Sequence, residues 1–206
     1  MNEVVSTRIP LLGRLRKMEP SLLVLLLVVL GAIAAVGLAM ALSAPVDVLV
    51  GADQWKIVSA FHGMSATVFL LSATIAVYLA WRLYTGQIKA FDDLKWLSLL
   101  STAMSALTIA FGTWVYIAYR APGGPREFFL EKLAPIHAVF FEFKEFIALF
   151  TFPMFLTATF ILWRYGKPIV GHRDARAVAS VLLLLGFFFL LIAYVLGAAI
   201  TKLRGV

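Results

Sequence analysis

The sequence predicts an all-α integral membrane protein: a single membrane domain over 1–206, built as a five-transmembrane-helix bundle with its N-terminus inside and its C-terminus outside. Three observations predict it. The chain is 62% hydrophobic and 14% charged, whereas soluble domains are about half apolar and roughly a quarter charged. Five runs, about 21–43, 57–84, 96–119, 135–164 and 177–200, each reach the about 20 mostly apolar residues that cross a bilayer. The segments between them are short, which suits antiparallel neighbours in one bundle. One soluble core cannot hide this much apolar surface, so lipid is the expected solvent.

The first span follows Arg8, Arg14, Arg16 and Lys17, which gives the N-terminus the look of a signal peptide. The apolar run is longer than the about 7–15 residues of a signal core. Ala41-Leu42-Ser43-Ala44 mimics a cleavage site, but Pro45 follows it. A retained span is the expectation. Gly31, Ala35, Ala39 and Ser43 recur at four-residue spacing, a pattern that lets helices approach closely in lipid; packing within the bundle is preferred to a dimer face.

The second span presents Ser59, His62, Ala66, Phe69, Ala73, Ala76 and Ala80 on one stripe. The third presents Ser98, Ser101, Ser105, Thr108 and Gly112. After it, Ala121-Pro122-Gly123-Gly124-Pro125 predicts a turn, with Pro125 opening a short helix and Glu127 in its first turn. That helix, over 126–134, is expected to lie along the outer surface until Pro135 redirects the chain. The fourth span carries His137, Glu142, Lys144, Glu145 and Pro153, the last expected to bend it. The fifth is apolar throughout.

Orientation follows the Lys/Arg bias of the flanks. Arg8, Arg14, Arg16, Lys17, Arg82, Lys89, Lys95, Arg164, Lys167, Arg173 and Arg176 fall on one side. Lys56, Arg120, Arg126, Lys132, Lys202 and Arg204 fall on the other. The larger set is assigned to the cytoplasm. Trp81, Tyr84, Trp96, Trp163 and Tyr165 then anchor the inner interface, and Trp55, Trp114, Tyr116 and Tyr119 the outer one. The net charge of +7 is spread over these flanks, so it reads as a topology signal and not as a nucleic-acid footprint. The expected setting is the plasma (cytoplasmic) membrane, multi-pass, beside other subunits of a membrane complex. The chain has no cysteine, which excludes disulfides, thiolate-held iron–sulfur clusters, c-type haem attachment and thiol catalysis.

His62 and His137 are the first candidate site. The second and fourth spans run the same way, and each histidine falls close to the outer end of its span. At about 1.5 Å per residue both rings lie in the outer third of the hydrocarbon. Two imidazoles at one height suffice to hold a flat metal macrocycle from both faces. The small residues flanking His62, Gly63 among them, would leave room for it. Ser59 or Ser65 would supply an outer hydrogen bond. Hydrogen-bonded packing of both histidines, another metal, or a proton relay are the competing readings. His172, beside Arg173, reads as a solvated loop residue.

Histidines on the second and fourth helices of a short bundle resemble the plan of b-type membrane cytochromes, the cytochrome b561 family and the haem-carrying anchor subunits of membrane oxidoreductases. The resemblance touches His62 and His137 alone. It implies one bis-histidine haem b near the outer face, exchanging electrons with a quinone or a partner subunit. Arg120, Arg126 and Lys132 lie on the side where haem propionates would sit.

Glu142, Lys144 and Glu145 are the second candidate site. Ionisable residues in a span are costly and default to a functional reading. Glu145 lies ten residues past Pro135, about 15 Å deep. Ser105 and Thr108 fall at a similar depth, so a polar seam between the third and fourth spans is expected. A structural charge pair, a proton or quinone-site relay, and a contact for another subunit's helix compete for it. The preferred function is an integral membrane subunit of an electron-transfer complex of respiratory type, with no soluble catalytic domain of its own. The alternatives are a cofactor-free transporter or proton conductor built on the seam, and a structural scaffold subunit.

Overall fold

The structure, a computed structural model, describes residues 53–87 and 89–205. The expected first span, 21–43, lies outside the described residues. All regular structure among the described residues is helical. Four helical runs are long and apolar enough to cross a membrane: Gln54–Tyr84, Phe91–Arg120, Ile136–Tyr165 and Arg173–Leu203. They correspond to the second to fifth expected spans.

The first of them, α1 (Gln54–Tyr84), opens on Asp53, whose carboxylate accepts from the Trp55 N–H at 3.0 Å. This satisfies one of the backbone donors that a helix start leaves unpaired. It ends at Gly86, whose φ of 89° is the left-handed conformation that glycine adopts without strain. The second, α2 (Phe91–Arg120), begins earlier than hydropathy suggests. Its first turn buries Phe91 and Leu94 and holds Asp92 and Asp93 outside, where acidic residues complement the helix dipole. A short helix, α3 (Pro125–Lys132), follows Gly124, with Pro125 in its first turn as expected.

Pro135 then leads into a π-helical turn, Ile136–Phe141, which continues without a break into α4 (Glu142–Tyr165). After a 3-10 turn at Lys167–Gly171, α5 (Arg173–Leu203) completes the described bundle. Helix α1 packs against α2 and α5, and α4 packs against the same two. The four form a ring in which α1 and α4 stand on a diagonal. The diagonal is closed by Phe69 and Phe155, whose rings meet edge-to-face at 5.1 Å. Around them Ala73, Ala76, Ala158, Leu162, Ala179 and Leu183 are fully shielded. The small stripe read on the second span thus serves as close-packing surface in the Tyr84 half of the bundle.

Outward faces are apolar: Met64, Leu71, Ile75, Phe146, Leu149 and Val195 are exposed. That is the inside-out pattern of helices solvated by lipid. The protein is a multi-pass membrane protein in character.

Hydroxyls hold the interior. Ser98, Ser101, Thr102 and Ser105 of α2 are all fully buried. Ser101 bonds Ser72 of α1 at 2.9 Å; Thr102 bonds Thr159 and Ser105 bonds Thr151, both of α4, at 2.8 and 2.9 Å. The polar stripe read on the third span therefore faces two neighbours rather than one. Hydroxyls suit this role because each can donate to its own helix backbone and accept from the partner helix.

Candidate functional site

Among the described residues the ring of helices is open at the Arg120 end of the bundle. Alanine and glycine replace larger side chains there, and a mostly apolar cavity of about 990 Å³ is left between α1, α2, α4 and α5. His62, Gly63 and Ala66 of α1 line it, with Thr108, Gly112 and Tyr116 of α2. Lys144, Glu145 and Thr151 of α4 and Tyr194, Gly197, Lys202 and Arg204 from the α5 side complete the wall. Met64, Val68 and Leu149 belong both to this wall and to the exposed surface. Among the described residues the cavity therefore opens through the apolar flank of the bundle.

His62 is held by α2. Its Nδ1 donates to the Thr108 carbonyl at 2.9 Å. A carbonyl only accepts, so a proton sits on Nδ1, and in the neutral form of the ring the lone pair is on Nε2. The ring lies against Gly112: a Cβ there would come within 2.9 Å of the His62 Cε1. Thr108 also donates its hydroxyl to Ser65 at 3.1 Å, and Ser65 donates to the His62 carbonyl at 2.9 Å. The Thr108 carbonyl and bare Gly112 thus orient the imidazole, as an outer shell does.

His137 occupies different surroundings. It is 5% exposed and is not part of the cavity wall. Its Nδ1 bonds the Tyr119 hydroxyl at 2.9 Å, and its Nε2 lies 3.6 Å from Glu142 Oε1. Tyr119 stacks on Phe141 at 4.1 Å with the rings 4° from parallel. Both nitrogens of His137 are engaged by protein groups, whereas His62 keeps one for the cavity. To hold a haem iron a histidine must offer a ring nitrogen, and His62 Nε2 has no hydrogen-bond partner among the described residues. His137 as placed would have to release Tyr119 or turn from Glu142 to offer one too.

The charged cluster divides in the same way. Glu142 is half-exposed and faces His137. Lys144 and Glu145 line the cavity. The Lys144 stem passes Gly197 of α5, and its Nζ rests over the Phe141 ring, 4.7 Å from the centroid. Among the described residues no ion pair joins Lys144 to a carboxylate. Of the expected seam residues, Thr108 meets the cavity through the His62 bond. Ser105 also lines it while bonding Thr151.

On sequence grounds Tyr116 and Tyr119 are interface anchors, Lys202 and Arg204 are flank charges, and none of Gly112, Gly197, Tyr194, Lys202 and Arg204 is a site residue. Gly112 did stand on the hydroxyl stripe, and a glycine four residues from Thr108 was its only signal. Lys202 and Arg204 were assigned to the same side as Arg120, Arg126 and Lys132, yet it is these two that reach the cavity wall. Comparison with protein-family models, with curated proteins and with solved structures finds no match.

Proposed function

We propose that the protein is a five-span, multi-pass subunit of a plasma-membrane electron-transfer complex, N-terminus inside and C-terminus outside, and that its cavity receives the ring of a quinol. One observation carries the reading. An imidazole whose Nδ1 is tied to a backbone carbonyl, and an ammonium with a carboxylate beside it, His62 with Lys144 and Glu145, share one largely apolar cavity. Ionisable side chains within a membrane span are expensive and mark a ligand or ion path. His62 Nε2 is suited to accept from a ring hydroxyl, and Lys144 to donate to a ring oxygen. The volume falls at the upper end of small-ligand sites. The apolar flank gives a lipophilic molecule a route from the bilayer. Oxidation of the ring releases two electrons and two protons; the electrons pass to a redox-active partner subunit. Saturable binding of decylubiquinone to the purified chain in nanodiscs, weakened at least about tenfold by His62→Ala, is the expected result. Unsaturable partitioning, equal in both proteins, ends the reading.

A second reading keeps haem b in the cavity. Lys202 and Arg204 at its rim favour it, since two cations there would pair with propionates. His62, together with His137 once freed from Tyr119, would hold the haem. Bound haem would supply one-electron chemistry. A reducible b-type visible band that is lost in His62→Ala supports this reading, and a colourless preparation after haem supplementation rejects it.

A further inference from the structure

We infer that Tyr119, His137 and Glu142 form a proton relay leading from the cavity to the surface of the bundle. The inference deepens the quinol reading and rests on it, because the relay serves the proton that the ring gives up or takes.

Three groups stand in series. Tyr119 is 4% exposed and belongs to the cavity wall. Its hydroxyl is 2.9 Å from His137 Nδ1. The other ring nitrogen of His137 lies 3.6 Å from Glu142 Oε1, and the Glu142 side chain is 53% exposed. The first two members are buried and the last is open. Each can accept on one side and donate on the other, which is the requirement for passing a proton along a line. An imidazole is suited to the middle position because its two nitrogens lie on opposite edges of the ring.

The backbone is shaped for this contact. His137 and Glu142 are five residues apart, which on an α-helix would set their side chains about 140° apart. The π-helical turn Ile136–Phe141 removes that divergence, and the Glu142 N–H bonds the His137 carbonyl across it. Such single π turns recur at functional sites. Phe141, stacked on Tyr119 and 5.7 Å from His137 between ring centroids, covers the first two members.

The step balances without electron transfer. A ring hydroxyl of the ligand gives its proton to the Tyr119 oxygen as the Tyr119 O–H proton moves to His137 Nδ1. The His137 Nε2 proton then moves to the Glu142 carboxylate, which becomes a neutral acid and afterwards releases it. At 3.6 Å the last gap closes by rotation of the exposed Glu142 side chain or through one bridging water.

The test uses the full chain in nanodiscs with decylubiquinone reduced and reoxidised electrochemically in place, read by infrared difference spectroscopy. In the wild type, cycling the ring should produce a carboxyl band that disappears in Glu142→Gln. Tyr119→Phe keeps the stacked ring and removes the hydroxyl. At saturating decylubiquinone it should abolish the Glu142 band and slow ring protonation at least about tenfold. A Glu142 band that persists in Tyr119→Phe, or no Glu142 band in wild-type protein that binds the quinone, overturns the relay and leaves the cavity reading intact. No binding of decylubiquinone overturns the quinol reading instead. The relay is then decided by nitrogen-15 histidine spectra, where an unchanged proton position on His137 in both Tyr119→Phe and Glu142→Gln overturns it and a moved one supports it.

Discussion

His62 and Gly112 interlock: the imidazole of α1 occupies the space that any side chain at position 112 of α2 would need, 2.9 Å from the ideal Cβ position. The ring can hold its bond to Thr108 only because that side of α2 is bare. The arrangement couples helix packing to the chemistry of the cavity, so one methyl group on α2 tests both.

Gly112→Ala is expected to turn His62 away from Thr108 or push the helices apart. Overpacking of this kind costs about 1–3 kcal/mol. Thermal unfolding in detergent should register the loss, together with weaker decylubiquinone binding. Gly63→Ala is the control. Among the described residues nothing lies within 4 Å of its added Cβ, so stability should hold. Equal behaviour of the two variants would show that the His62–Gly112 contact is unimportant.

Lys144→Met separates a structural cation from a ligand-binding one. Read from sequence, this substitution should strand buried carboxylates and destabilise the fold. In the structure Glu142 faces His137, and Lys144 rests on the Phe141 ring. Exchanging this half-buried ammonium, which shares the cavity with Glu145 but makes no close ion pair with it, for a similarly sized apolar chain is therefore expected to change stability by no more than about 1 kcal/mol. Quinone affinity should fall about tenfold, near the 1.4 kcal/mol of one charge-assisted hydrogen bond. Collapse of the fold would restore the charge-pair account.

The pair Thr102–Thr159 is fully enclosed, with the hydroxyls 2.8 Å apart. A double-mutant cycle with Thr102→Val and Thr159→Val should give a coupling near 0.6 kcal/mol and below about 1.7. Both hydroxyls lie in the tightly packed half of the bundle, away from the cavity, so ligand binding should not change. A coupling of zero would mean that hydroxyls merely fill space there.

The absence of cysteine makes single-cysteine labelling a clean check of orientation. Gly123→Cys, in the turn before α3, should react with an impermeant maleimide in intact cells. Lys167→Cys, at the opposite end beside Asp92 (2.8 Å between the charges), should react only after lysis. The reverse pattern would invert the proposed topology.

Much of this was legible in the letters. Spans appear wherever about 20 apolar residues follow one another, and Pro125, Gly123 and Asp53 mark turns and caps by local chemistry alone. The hydroxyl stripe Ser98-Ser101-Ser105 was also visible, because its period matches the helix. Its partners were not: Ser101 turns to α1 and Ser105 to α4, which depends on how the helices are rotated. The histidines illustrate the limit best. Depth along a span placed His62 and His137 level with each other, since depth is a count of residues. Which group each nitrogen touches is a matter of azimuth, and the π-helical turn after Pro135 shifts azimuth without leaving a hydropathy signal.

The sequence by itself determined that the chain lives in a bilayer, where most of its helices begin and end, and which polar residues must lie at membrane depth. Hydropathy and helix caps act within a few residues, so no distant neighbour is needed to read them. Only the tertiary structure decided that His62 faces a cavity while His137 is clasped between Tyr119 and Glu142, and that Glu142 turns to His137 while Lys144 and Glu145 stay together on the cavity wall. Those outcomes depend on a bare glycine on one helix and an extra residue in one turn of another, and interatomic distances of a few ångströms exist only once separate helices have docked.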